Sequence, residues 1–381
     1  MLPDADIVII GGGLAGLTAG IHLARHNLRV TLFEKQAYPH HKVCGEYISN
    51  EVLPYLRQLG VSVDGLNPAR IQHFSLSTAS GDTIESDLPL GGFAVSRYTL
   101  DNHLAQTAIK AGVTIIQDEV KRVFFEETAN AFTIETASGK TYHSTITLGA
   151  YGKRSLLDKQ LDRPFIRTES PWLGVKAHYK AEFPAGLVSL HNFHGGYCGL
   201  CQVENGLVNA CYLATYDSFK TYKNIDAFQQ QVLSQNPHLA HFFSNAELVF
   251  EKPLVISQIS FAPKQPVDSH ILMCGDTAGL IHPLCGNGMA MAIHSAKLVS
   301  ERLIAYFNGR LNDRAALEKS YTLAWRSEFT KRLTAGRLLQ SVLQHPLATS
   351  VMLKSLQLTP GLLPLIIKQT HGKPLAIEQC P

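Results

Sequence analysis

The stretch IVIIGGGLAGLTAGIHLARHNLRVTLFE, residues 7–34, constrains the fold of this chain more than any other part of it. An apolar run from Ile7 to Ile10 leads into Gly11, Gly13 and Gly16, spaced G-x-G-x-x-G. A helical pattern follows, and a second apolar run ends at Glu34. Gly11 permits the tight strand-to-helix turn, Gly13 lets a pyrophosphate approach the backbone, and Gly16 lets the helix pack on the strand. Leu14 and Ala15 open that helix, whose free N–H groups and positive dipole end suit phosphates. Glu34, 18 residues after Gly16 and followed by Lys35, stands where a carboxylate can accept hydrogen bonds from both hydroxyls of a ribose. An acid there argues against a 2′-phosphate. Strand, glycines, helix, strand and terminal acid within 28 residues predict a nucleotide-binding βαβ unit, without separating FAD from NAD.

The 381 residues suffice for two domains, and a hydrophobic content of 45% supports a large core. The net charge is +3, with Lys and Arg scattered and no basic run or aromatic–basic stripe, which argues against nucleic acid as a partner. The chain enters its first strand without a charged leader, and no apolar run reaches the ~18 residues of a membrane span, so a cytoplasmic protein is expected. Seven dispersed cysteines fit reduced thiols rather than a disulfide framework. Cys198 and Cys201 form a C-x-x-C, but in a strand these positions face opposite sides, and no second ligand pair accompanies them; no metal is expected.

The remaining pattern predicts a helix over 46–62, strands over 68–95 with a turn at Ser80-Gly81-Asp82, and a helix over about 97–112. A meander over 113–149 has a hairpin at Ala137–Lys140. Two β-rich stretches, 172–215 and 247–261, flank a helix near 224–235. Residues 271–276 form a last short strand, and the chain is helical from about 286. The expected architecture is α/β: a Rossmann-like domain of the glutathione reductase type, discontinuous over 1–70, 97–165 and 270–300. An antiparallel β-sheet substrate domain (71–96 and 166–269) is inserted in it, and a helical cap covers 301–381.

A second motif, ILMCGDTAGLIHPLCGNGMAMAIHSA at 271–296, ends a strand at Gly275-Asp276 and passes Pro283, Gly286 and Gly288 into an Ala-rich helix. Asp276 can hold a ribityl or ribose hydroxyl. The N–H groups of Gly288 and Met289 can face an electron-rich ring edge. The pair of motifs resembles the flavoprotein monooxygenase superfamily of the p-hydroxybenzoate hydroxylase fold. The G-D-x-A-G form at 275–279 and Lys42-Val43-Cys44-Gly45-Glu46 are similar to its geranylgeranyl reductase branch. This resemblance spans about 1–300. It implies FAD, with Gly11, Gly13, Gly16 and Glu34 at the ADP half, Arg97 reaching the cofactor from the third helix, and Asp276 at the ribityl or pyrophosphate region. Gly286 would bind the cofactor, and Gly288 and Met289 would lie at the flavin pyrimidine edge, where a helix start stabilises negative charge on the reduced ring. NADPH or NADH stays open as electron donor.

Three departures qualify the resemblance. Tyr151 stands where many relatives carry the Asp of an Asp-Gly motif, which weighs against a typical NAD(P)H-driven aromatic hydroxylase. The W-x-W-x-I motif of the related halogenases is missing. In Tyr197–Gln202, matching the branch's Y-x-W-x-F-P, Gly199 replaces the indole; either the pocket is wider or the substrate fills the space, and a polyprenyl substrate is not implied.

Four residues are candidates for chemistry. The resemblance brings Cys44 near the flavin, where a thiol can deliver a proton to carbon; Glu46 lies next to it. Tyr197 lies on the substrate strand, and His282 in the loop before Pro283 is expected to face the substrate. Lys42, with His40 and His41, forms a polar cluster suited to neutralising a pyrophosphate. The segment 335–368, dense in Leu, Ile, Val and Met and broken by Pro346, Pro360 and Pro364, reads as short amphipathic helices. They form a cap, an apolar entrance, or a peripheral membrane contact. The expected function is an FAD-dependent oxidoreductase acting on an apolar or aromatic small molecule by hydride transfer at a carbon–carbon bond. The alternatives are monooxygenation through a flavin hydroperoxide and a non-catalytic flavin-binding protein.

Overall fold

In the computed structural model, residues 4–376 are described, apart from 223, 283, 284, 344, 345 and 360. The two N-terminal apolar runs become parallel neighbours, Ala5–Ile10 and Val30–Glu34, with Ile7 opposite Val30 and Ile10 opposite Phe33. Around them a sheet runs in the order Val267–Asp268, Ile271–Met273, Thr141–Gly149, Ala5–Ile10, Val30–Glu34, Thr114–Gln117. All but the first strand of this series are parallel. The antiparallel strands Val120–Glu126 and Ala131–Thr136 extend it from Thr141–Gly149. A parallel sheet must be covered on both faces, and Ile7, Ile9, Leu32 and Leu148 are accordingly inaccessible. The helices Leu14–Ala24, Arg97–Lys110 and Gly288–Phe307 pack together on this sheet.

A second, nine-stranded sheet runs Glu247–Leu248, Trp172–Lys180, Val208–Thr215, Gly196–Gln202, Leu187–Phe193, Ala69–Ser77, Thr83–Ala94, Tyr47–Ser49, with Leu254–Ser257 also pairing to Trp172–Lys180. Its alternation separates two apolar layers. Tyr197 and Cys201 face one, Cys198 and Leu200 the other. The two cysteines of the C-x-x-C therefore point to opposite sides, as the strand reading requires. The sheet is not wholly antiparallel: Leu187–Phe193 runs parallel to Ala69–Ser77, joining chain segments more than a hundred residues apart.

The helix expected over 46–62 is shorter. Tyr47–Ser49 is a strand on the edge of the second sheet, opposite Gly92–Ala94, and the helix covers only Leu53–Gln58. The cause is Gly92, where a Cβ would lie 2.3 Å from the Tyr47 ring, so only glycine lets that strand dock.

Four helices, Gly288–Phe307, Arg314–Leu343, Pro346–Leu358 and Leu362–Thr370, finish the described chain. Pro346 opens its helix, where a missing N–H costs nothing. The C-terminal segment is tied back to the core. Asn287 Nδ2 donates to the Thr370 carbonyl at 2.9 Å. The buried Glu51 carboxylate accepts from Arg332 at 3.3 Å and from the Gly372 N–H at 2.5 Å.

Candidate active site

The parallel strands all end at one cavity of about 770 Å³, which continues from the glycine turn to the face of the second sheet. The turn is built as its glycines predict. Gly11 has φ +107°, and a Cβ there would lie 2.4 Å from the Ala150 carbonyl oxygen. Gly16 stands behind the turn, outside the cavity wall, where a Cβ would fall 2.0 Å from the Gly11 oxygen. Gly13 differs: its missing Cβ faces open space bounded by Arg97 Nη2 at 3.6 Å and Lys42 Nζ at 3.8 Å. Gly13 is also the N-cap of the helix Leu14–Ala24 and, lacking a side chain, gives the N–H groups of that first turn no side-chain cap.

Asp101, wholly buried, organises the two cations. It binds Arg97 bidentately, at 2.7 Å to both Nε and Nη2, and Lys42 Nζ at 3.2 Å. Burial would raise its carboxyl, but Arg97 and then Lys42 outweigh this and hold it below its ordinary range. Glu34, at the end of its strand, accepts the Gly12 N–H at 2.8 Å and the Gln36 N–H at 3.2 Å. Its remaining lone pairs stay free for further donors. Tyr38, whose hydroxyl donates to the Gly12 carbonyl at 2.6 Å, braces the turn from behind.

Two carboxylates set the start of the helix Arg97–Lys110. Ser96 caps it through Thr99 N–H; Glu204 accepts from Ser96 N–H at 2.7 Å and from Thr99 Oγ1 at 2.6 Å, and Glu46 accepts the Arg97 N–H at 2.7 Å. Negative charge is favourable at this end of a helix. Glu204 lies in a connection of the second sheet and Glu46 directly precedes its edge strand, so Arg97 is positioned from that sheet.

Glu46, expected as a candidate for chemistry beside Cys44, is fully buried at φ +59°. Its Oε1 binds Lys176 Nζ at 2.6 Å and its Oε2 lies 2.7 Å from His178 Nε2. Burial would raise this carboxyl, yet Lys176 and His178 hold it below its usual range. Glu46 borders the cavity with both oxygens engaged, tying its loop to the strand Trp172–Lys180. His41, Glu46 and His178 present ligand atoms within 4.8 Å of one another, but the Lys176 ammonium sits on the same carboxylate, and the cluster is an ion-pair network.

Cys44 lines the cavity, its thiol within hydrogen-bonding reach of the Arg97 guanidinium, and the Cys44 and Gly45 carbonyls accept from Asn209 Nδ2 at 3.2 and 3.0 Å. Tyr197, buried, and Gly199 lie on the same wall. His282 does not face the cavity as expected. It packs against Phe261, Trp172 and Tyr197 at ring distances of 4.6–6.0 Å, and burial pushes it down to about 3, so it is neutral. Pro283, named with it in the sequence, lies outside the described residues.

Leu14, Ala15, Lys35, Asp276, Gly286, Gly288 and Met289 also line the cavity. Asp276 sits in the Gly275–Thr277 turn, entered through Gly275 at φ +61°. Its carbonyl and that of Lys153 accept from Lys264 Nζ, each at 2.9 Å. Burial pushes Lys264 down to about 8. Asn287 gives the helix Gly288–Phe307 no side-chain cap, and among the described residues its first N–H groups face the cavity end of the helix, where they can meet a ligand. Tyr151, in place of the expected Asp, is half-buried on the cavity wall with its hydroxyl against Met273 Sδ at 3.6 Å; Gly152 beside it is pinned by Thr277 Oγ1 at 2.8 Å. The far wall is apolar: Leu76, Leu190 and Leu213 of the sheet face Met352, Leu356, Leu363 and Ile367 of the last two helices.

Sequence reasoning missed Tyr38, Asp101, Lys176 and Lys264. Only Asp101 carried a readable signal, four residues after Arg97 on one helix face.

The group these features fit is a dinucleotide: an open glycine approach between two cations, an acid at the second strand end, and two uncapped helix starts around one cavity. Comparison with known proteins agrees. The family model described as FAD binding domain matches residues 4–334. The chain is 24% identical over 359 residues to conditioned medium factor receptor 1 of Dictyostelium discoideum, covering 85% of this chain and 68% of that one. It is 24% identical over 329 residues to menaquinone reductase of Mycobacterium tuberculosis, covering 79% and 76%. It is 23% identical over 372 residues to mouse squalene monooxygenase, covering 93% of this chain and 64% of that protein. Among solved structures, the flavin-dependent brominase Bmp2 superposes with a TM-score of 0.80 at 18% identity, over 96% of this chain and 93% of the other. That likeness concerns the fold. With its cofactor named by the family and its glycine turns shaped to match, the chain belongs to the FAD binding domain family and is an FAD-dependent oxidoreductase.

Proposed function

We propose that the protein reduces a carbon–carbon double bond in an extended apolar molecule, in the manner of the geranylgeranyl reductase branch. The observation that carries this reading is the continuity of one cavity from the glycine turn to a wall of Leu76, Leu190, Leu213, Leu356 and Leu363. Such a wall binds hydrocarbon and offers few polar anchors. FAD, when bound, supplies a two-electron centre that passes hydride to carbon. Gly11, Gly13, Arg97, Lys42 and Glu34 would hold its ADP half. Asp276 and the helix start at Gly288 and Met289 would face the rest. The reaction then needs one proton at the neighbouring carbon, and Cys44 on the cavity wall beside Arg97 is the group that would donate it. The thiol would then recover its proton from solvent. Menaquinone reductase among the relatives supports a reductive, isoprenoid-like chemistry.

The second reading is oxygen insertion, favoured by the likeness to squalene monooxygenase. Tyr151 weighs against it, because the Asp of the relatives' Asp-Gly motif is replaced. The two are separated by product mass. Under a reductive reading, anaerobic holoenzyme with dithionite or a nicotinamide adds two hydrogens to a polyprenyl alcohol, or to the side chain of an isoprenoid quinone, the gain persisting after the quinone ring is reoxidised in air. A product carrying one oxygen atom, formed only in air, would replace that reading with the second.

A further inference from the structure

We propose that the outer face of the two C-terminal helices, Pro346–Leu358 and Leu362–Thr370, docks on an anionic lipid surface. Each helix is apolar on two sides. The inner rows, Leu356 and Leu363 among them, line the cavity. The outer rows repeat at helical spacing and are open: Val351 is 66% exposed and Leu358 84%, and on the next helix Leu362 and Leu365 are 47% and 53% exposed. A helix facing water on its outer side ordinarily carries polar residues there. Neighbouring exposed leucines at such spacing mark a docking face.

The charge around this face selects its occupant. Residues 329–377 contain Lys331, Arg332, Arg337, Lys354, Lys368 and Lys373 and not one Asp or Glu, so the rest of the chain carries a net charge of −3. Arg332 is buried on Glu51; Lys354 and Lys368 are exposed beside the outer leucines. A second copy of this chain, meeting the face by a two-fold axis, would set cation against cation. An apolar stripe with interspersed lysines instead matches the headgroup boundary of an anionic bilayer, where hydrocarbon and phosphate are both at hand. Among the described residues no helix is long and apolar enough to cross a membrane, so the contact would lie in the interface plane.

This inference concerns where the protein sits and holds whichever reaction it catalyses. It is tested by flotation of FAD-loaded protein with vesicles of phosphatidylcholine alone and with a third of that lipid replaced by phosphatidylglycerol. The expected result is binding to the anionic vesicles that falls as salt is raised. Lys354→Glu with Lys368→Glu should weaken it by roughly tenfold or more. Leu358→Ser with Leu365→Ser should abolish it while the flavin spectrum and melting temperature stay unchanged. No flotation with either vesicle overturns the inference, as does binding that both variants leave intact. A dimer seen by light scattering, dissolved by the leucine variant in protein that binds no vesicles, would give the face to a second copy. Turnover is not the readout, so failure here leaves the proposed reaction standing.

Discussion

Lys176 Nζ lies 2.6 Å from Glu46 Oε1, and both side chains are wholly inaccessible to solvent. The carboxylate comes from the loop that leads out of the nucleotide-binding unit into the edge strand Tyr47–Ser49 and the ammonium from the strand Trp172–Lys180, so one ion pair fastens this loop to the second sheet at the cavity. Removing one partner of a buried pair leaves an uncompensated charge. Lys176→Met should therefore cost about 3–5 kcal/mol in urea unfolding of the holoprotein. Glu46→Gln combined with Lys176→Met should recover part of that loss. The pH dependence has a definite sign. Glu46 is held below its usual value in the fold, so its contribution is complete above the unfolded carboxylate value and is lost as pH falls through the lower folded one. A Lys176→Met protein as stable as the parent would mean the pair is open to water.

The glycine turn gives a paired prediction that separates folding from binding. Gly11→Ala puts a Cβ 2.4 Å from a backbone oxygen, at a φ of +107°, and should unfold or grossly destabilise the protein. Gly13→Ala puts its Cβ at ordinary contact distance from Arg97 and Lys42. The apoprotein should melt within a few degrees of the parent. FAD affinity should fall by roughly tenfold or more, because the methyl group occupies the approach of the diphosphate and separates it from the helix N-terminus. Flavin fluorescence titration and thermal melts on the two variants read this directly; equal FAD affinity in Gly13→Ala would place the diphosphate elsewhere.

The parts of this site legible in the sequence are those whose cause is local. A G-x-G-x-x-G turn, a terminal acid and a Gly-Asp strand end are fixed by neighbours within a few residues, and Gly11, Glu34 and Asp276 stand where that reading puts them. The Glu46 network was hidden because its members are 130 residues apart. Lys176 and His178, two apart on a strand, read as one solvent-facing edge of an alternating pattern. They are buried because Glu46, from the turn that enters the edge strand Tyr47–Ser49 of the same sheet, closes over them. Tyr47–Ser49 was hidden for a similar reason: Val52 and Leu56 suggest a helix, while the strand's partner, Gly92–Ala94, supplies the pairing only once the chain has folded back. His282 was misplaced because a loop histidine near glycines looks like a substrate contact, and nothing local announces that Trp172 and Phe261 will enclose it.

Gly199 offers a test of substrate size. Its Cβ position lies 3.3 Å from Leu190 Cδ2, on the cavity wall beside Tyr197. The backbone tolerates a side chain if Leu190 yields slightly. Gly199→Trp would then fill the cavity toward the apolar wall while leaving the glycine turn untouched. FAD should bind as before, and turnover of long apolar substrates should drop by roughly tenfold or more, with short ones affected less, since a lost pocket is felt in proportion to the surface it contacted. Uniform loss across chain lengths would show that the substrate does not run along this wall.

Buried histidines set the acid limit of the fold. Burial pushes His191, His282 and His294 down to about 3 and His22 to about 4. As pH falls below the ordinary histidine value near 6.5, the unfolded chain binds protons that the folded chain refuses. Stability from each is whole above that value and declines as pH drops, by up to about 1.4 kcal/mol per pH unit for each histidine. His294 is the cleanest one to remove: its ring packs on Phe329 at 5.2 Å, and its Nδ1 is buried without a hydrogen-bond partner among the described residues. His294→Leu keeps an apolar side chain there and deletes one titrating group. Its stability, followed by urea unfolding from about pH 7 to about pH 4, should fall less steeply than the parent's by close to one proton's worth. Parallel pH profiles for the two proteins would mean that His294 is already protonated in the fold and that the helix Gly288–Phe307 is more open to water than its packing indicates.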